Sequence, residues 1–163
     1  MTTTYILTAA LVLAVVRQLR GRKLAGPSLW IPLAAVAYAT AEYLRSIPTS
    51  GNDLVLVALG TATGLALGTL CGLHTLVYSD ARGVPYARAT ALAAVLWIVG
   101  VAARLDFSLY AQHGGGSTIA RFSVAHALTL QAWIAALVLM ALAEVASRTA
   151  VLVFRSRGAI MAA

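Results

Sequence analysis

From Leu54 to Val77 the chain runs without a single Asp, Glu, Lys or Arg. An apolar stretch of that length can cross about 30 Å of hydrocarbon as a helix; in water it would need cover on every side. The chain has little with which to cover it. Its 163 residues are 61% hydrophobic and only 10% charged, and the mean hydropathy is +0.87. An ordinary soluble domain is about 45–50% apolar and about 25% charged, and a fold this small leaves much of its surface outside. Lipid is therefore the expected solvent. The same balance excludes disorder, a disulfide scaffold and a nucleic-acid-binding tail.

Apolar runs at 2–16, 28–47, 54–77, 87–109 and 119–145, followed by a basic tail at 146–163, predict one all-α domain. The expected fold is a polytopic bundle of five transmembrane helices. The first run ends in Arg17-Gln18-Leu19-Arg20-Gly21-Arg22-Lys23 with no small-residue cleavage site, the reverse of a secretory signal, and reads as a retained helix. Pro32 falls near the start of the second span, where a missing N–H does little harm. Gly26-Pro27, Pro48 with Ser50-Gly51-Asn52, the polar segment Tyr78–Pro85 and the flexible His113–Ser117 segment separate the runs.

The charge of +7 is spread between these runs rather than gathered in one segment, which argues against nucleic acid as a partner. Arg17, Arg20, Arg22, Lys23, Arg82, Arg88, Arg148, Arg155 and Arg157 fall on one side of a five-span bundle; Arg45, Arg104 and Arg121 fall on the other. Nine against three puts the first group in the cytoplasm, with the N-terminus out and the C-terminus in. The expected location is the plasma membrane, multi-pass. A single lysine among twelve basic residues fits a high-GC bacterial genome, and hence a bacterial inner membrane.

Gly60, Gly64, Gly68 and Gly72 recur every four residues and so share one stripe of a helix. Small-xxx-small spacing lets helix backbones approach in lipid, where hydrophobicity gives no drive to associate. The expected role is helix packing in a glycine-zipper manner.

The Arg20-Gly21-Arg22-Lys23-Leu24 segment, Pro32, the ladder ending Gly68-Thr69-Leu70-Cys71-Gly72, Arg82-Gly83, and Leu96-Trp97 leading to Arg104 together resemble the CcdC-like small bacterial membrane proteins, a family of unknown function. The resemblance covers about residues 5–112. It implies an accessory role near cytochrome c biogenesis and supplies no catalytic residues. A lone Cys71 argues against a thiol relay in this chain.

No nucleophile elbow, P-loop, dinucleotide fingerprint or metal-ligand spacing is present. His74 and His126 are expected at depths differing by roughly 15–20 Å, too far apart to share one haem iron. No metal, cofactor or enzymatic activity is expected. The candidate ligand-binding residues are Glu42, Arg45, Trp97, Arg104, Asp106 and His126, expected to gather near the outer ends of their helices under the His113–Ser117 segment. Ionisable residues inside spans usually face the bundle and mark function; the competing reading is that these snorkel to headgroups. Glu144 and Arg148, four apart, are expected to pair at the cytoplasmic interface. The function expected is a non-enzymatic membrane accessory or interaction protein. Its partners would be the bilayer and a membrane protein or a second copy of the chain. The alternatives are a small transporter or channel subunit for an anionic ligand, and a membrane enzyme without a recognisable motif.

Overall fold

The computed structural model describes residues 22–23, 34, 38, 51–80 and 84–161. The first two expected spans, with Glu42 and Arg45, lie outside the described residues apart from the helical Ala34 and Tyr38. The described elements are strand β1 (Arg22–Lys23), helix α1 (Asp53–Leu73), strands β2 (Thr75–Ser79) and β3 (Pro85–Ala89), then helices α2 (Ala91–Tyr110), α3 (Gly116–Ala125) and α4 (Leu130–Met161). Three helical stretches, Asp53–Leu73, Ala91–Ala125 and Leu130–Gly158, are long and apolar enough to cross a membrane.

The side chains are sorted by size in the sense opposite to a soluble core. Buried positions carry Gly64, Gly68, Cys71 and Gly72 on α1, Ala93, Ala94 and Gly100 on α2, and Ala132, Ala135, Ala136 and Ala143 on α4. Leu54, Leu59, Leu65, Leu92, Val99, Leu105 and Ile134 point outward. Small residues inside let helices meet by close backbone packing, and large apolar residues outside suit a hydrocarbon solvent.

α1 and α4 run parallel along the glycine stripe. A Cβ on Gly60 would lie 2.8 Å from the Ala136 carbonyl oxygen. One on Gly64 would run into the Met140 carbonyl, and one on Gly68 into the Glu144 carbonyl and Ser147 Oγ. A Cβ on Gly72 would sit 2.8 Å from the Val151 Cβ. Gly60, Gly64 and Gly68 thus meet Ala136, Met140 and Glu144 in steps of four in the same direction, and the Arg148 carbonyl, 3.3 Å from a Cβ on Gly72, continues the register. α2 returns antiparallel, with the Cys71 thiol donating to the Ala93 carbonyl at 3.3 Å.

The sequence reading needs correction where α1 ends. The expected span 54–77 stops as a helix at Leu73, and Thr75–Ser79 pairs antiparallel with Pro85–Ala89. Thr-Leu-Val-Tyr-Ser is β-branched and aromatic, a strand composition hidden inside an apolar run. The turn is fixed by Asp80, whose Oδ1 accepts from the Val84 N–H at 3.0 Å. β1 adds to β3, giving a three-stranded sheet in the order β1–β3–β2, so the fold is not purely α. Arg22 and Lys23, the hairpin and the end of α4 therefore share one end of the molecule; Val77, Ala87 and Leu152 form the contact. Likewise the span expected at 87–109 begins only at Ala91, where Thr90 accepts from the Ala93 N–H and donates to the His74 carbonyl at 2.6 Å.

The last expected span, 119–145, is displaced. Helix α3 ends at Ala125, a break follows, and α4 starts at Leu130 with Thr129 Oγ1 accepting from the Ala132 N–H. Asp53, fully buried, accepts from the Thr129 N–H and Oγ1 at 2.8 Å each, so the starts of α1 and α4 are tied together. The His113–Ser117 segment is not a loose cover. The chain kinks between α2 and α3 at His113 and at Gly114 (φ 109°), where a side chain would be strained, and Gly116 and Ser117 already belong to α3.

Arg155 has a structural task. Its Nη1 lies 3.0, 2.8 and 2.6 Å from the carbonyl oxygens of Gly72, Leu73 and Thr75, which share its two N–H groups. The last carbonyls of a helix have no partner of their own, and a cation there also meets the negative end of the dipole. Arg155→Ala should lower stability by about 1–3 kcal/mol, the usual cost of orphaning buried acceptors beside a charged donor. Thermal unfolding of the purified chain in detergent reads this directly; an unchanged midpoint would show that water already satisfies those carbonyls.

Candidate functional site

Glu144 lies near the middle of α4 and is gripped from two sides. Its carbonyl packs on Gly68 of α1, while its carboxylate packs on Gly100 of α2, where a Cβ would stand 2.9 Å from Oε2 and 3.1 Å from Oε1. Side chains on a helix lean towards its N-terminus. The carboxylate is thereby carried up to Arg104, one turn beyond Gly100, whose Nη1 donates to Oε2 at 2.7 Å. Glu144 is buried and Arg104 partly so, with side-chain exposures of 4% and 17%.

This ion pair is half made. Glu144 Oε1 is buried and accepts no hydrogen bond. Arg104 uses one N–H on Glu144 and makes no further hydrogen bond to the described residues. A guanidinium offers five donors in a rigid fork, and a bidentate pairing with a carboxylate is its usual arrangement. Ser147 Oγ does not help, since it donates to the carbonyls of Ala143 and Glu144. A charged pair in an apolar interior is stabilising only with good geometry and its remaining valences satisfied.

The residues expected to converge are distributed differently. Arg104 takes Glu144, the acid expected to pair with Arg148; Arg148 has interactions of its own. Trp97, two turns before Arg104, packs on the cluster of Cys71, Ala89 and Ala93. Asp106 is exposed. His126 is not within a span: it occupies the break before α4, its Nδ1 2.9 Å from the Phe122 carbonyl and its ring stacked on Phe122 at 4.1 Å. Its own carbonyl accepts from Asn52 Nδ2 at the start of α1, four turns from Gly68, so it does not join Arg104. His126 instead borders an apolar groove of about 320 Å³ with Val55, Leu59 and Phe122. His74 follows the other end of α1, which separates the two histidines by the length of that helix. Glu42 and Arg45 lie outside the described residues.

Sequence reasoning missed Gly100 and misassigned Glu144. One signal was available: Glu144 is the only acid between Asp106 and the C-terminus, and Gly100 and Arg104 are one helical turn apart. Among the described residues no group of three His, Cys, Asp or Glu side chains could hold a metal ion. No protein-family model, curated protein or solved structure matches the chain.

Proposed function

We propose that the chain is a multi-pass plasma-membrane protein of the CcdC-like kind that works without covalent chemistry, as an accessory protein whose binding centre is the Arg104–Glu144 pair. The observation that carries this reading is the half-made ion pair between α2 and α4. Ionisable groups within apolar spans are costly and are kept for binding or transfer. This pair keeps donors and an acceptor unspent. The basic end, with Arg22, Lys23, Arg88 and Arg157, faces the cytoplasm in this reading, following the positive-inside rule. A transporter of small anions is the weaker reading, because Glu144 already neutralises Arg104 and an anion would add an uncompensated charge.

The test uses the double variant Arg104→Met/Glu144→Leu, in which neither charge is orphaned. Tagged wild-type protein purified from native membranes should carry a second component in fixed ratio, and the double variant, at equal folded yield, should lose it. Retention by the double variant, or a wild-type protein that purifies alone, removes the proposed role. Impermeant labelling of a cysteine placed at Ser79 in a Cys71→Ser background, absent on intact cells and present after lysis, checks the orientation.

A further inference from the structure

We propose that the Arg104–Glu144 centre binds a neutral hydroxyl group, its oxygen accepting from Arg104 and its O–H donating to Glu144 Oε1; this rests on the reading of that pair as the binding centre. Three features select the ligand. The first is the unpartnered oxygen itself: Glu144 is 4% exposed, and Oε1 is the buried polar side-chain atom that lacks a hydrogen bond among the described residues. An acceptor in that position calls for a donor. The second is the guanidinium beside it, with one N–H engaged and part of its surface open. It calls for an acceptor.

The third feature is charge. The pair sums to zero, so a carboxylate or phosphate would leave the site negative and an ammonium would leave it positive, each unfavourable in an apolar surrounding. A hydroxyl is neutral and is donor and acceptor at one atom. It is also small, which matters where Gly100 closes directly on the carboxylate. The absent side chain at Gly100 leaves only backbone between α2 and the two carboxylate oxygens, so a slight parting of α2 from α4 admits a group of that size. Trp97, seven residues before Arg104 on the same face of α2, and the exposed Leu105 beside Arg104 then offer contact to a hydrocarbon chain carrying the hydroxyl. The two sources of this chemistry are a lipid-soluble alcohol and water.

The chain contains two glutamates, Glu42 and Glu144, so glutamate labelled with ¹³C at Cδ gives two carboxyl signals. The signal lost in whichever of Glu42→Gln or Glu144→Gln folds identifies the pair. In phosphatidylcholine vesicles, 1-dodecanol should shift the Glu144 signal saturably, whereas dodecane, dodecanoate and dodecyltrimethylammonium should not; this result assigns the site to a lipid-soluble alcohol. A cross-peak from Glu144 Cδ to water protons without dodecanol, with no response to the alcohol, assigns it to water. A Glu144 signal that shows neither, or that responds equally to dodecanoate, overturns the proposal. Because this measurement uses the isolated chain, it fails independently of the co-purification result.

Discussion

Glu144→Leu should destabilise the chain by about 3–5 kcal/mol, the cost of leaving one member of a buried pair without its counter-charge. Arg104 is held by α2 one turn from Gly100, and its hydrogen bond goes to Glu144. With the carboxylate gone the guanidinium must either stay charged in an apolar interior or pull α2 away from α4. The double variant Arg104→Met/Glu144→Leu should recover most of the loss, since a buried pair replaced by apolar residues of similar volume is often neutral or stabilising. The half-made geometry strengthens that expectation, because Oε1 contributes desolvation without a bond. Unfolding of the single and double variants in the same detergent measures the coupling as a double-mutant cycle. A single variant that melts with the wild type would mean that Arg104 escapes to water, and that the pair does not tie α2 to α4.

The contrast between this pair and the cluster expected from sequence shows what apolar patterning can and cannot convey. Three long apolar helices were legible because hydrophobic length is a local property, read from Leu54–Val77 or from the run before Glu144 without knowing any neighbour. The ends of those helices were not. Thr75–Val77 is as apolar as the helix before it, and only the pairing with Ala87–Ala89 and the cap from Arg155 make it a strand. The displaced start of α4 has the same origin: Thr129 is an ordinary cap, but its preference over an earlier start depends on Asp53, far away in sequence. Charged pairing was assigned by spacing along one helix, Glu144 with Arg148. The chosen partner lies across the bundle, because Gly100 on α2 leaves room for the carboxylate there, while Gly68 on α1 seats the Glu144 backbone. Depth alone made Arg104 and His126 look close; the break at Ala125 takes His126 out of the span.

Gly64→Leu should be the most damaging change on α1. A Cβ at Gly64 meets the Met140 main-chain carbonyl, carbon and Cα, all of them backbone, so no rotamer of a neighbour can make room. The helices would have to move apart, which loses the dispersion contacts of a close interface where lipid supplies no hydrophobic drive to hold them. Overpacking ordinarily costs about 1–3 kcal/mol where the core can adapt, and this interface adapts poorly, so an effect at the upper end or beyond is expected. Gly68→Leu should follow closely, and should also disturb the ion pair, since Gly68 seats the backbone of Glu144 itself. Gly72→Leu should be milder, because the nearest atom there, the Val151 Cβ, stands farther off, at 2.8 Å. Gly158→Leu, with open space around it, should leave the melting point unchanged and serve as the control. If Gly64→Leu and Gly158→Leu unfold at the same temperature in detergent, α1 does not pack on α4 through its glycines. The parallel register, and with it the seat that places Glu144 against Gly100, would then have to be abandoned.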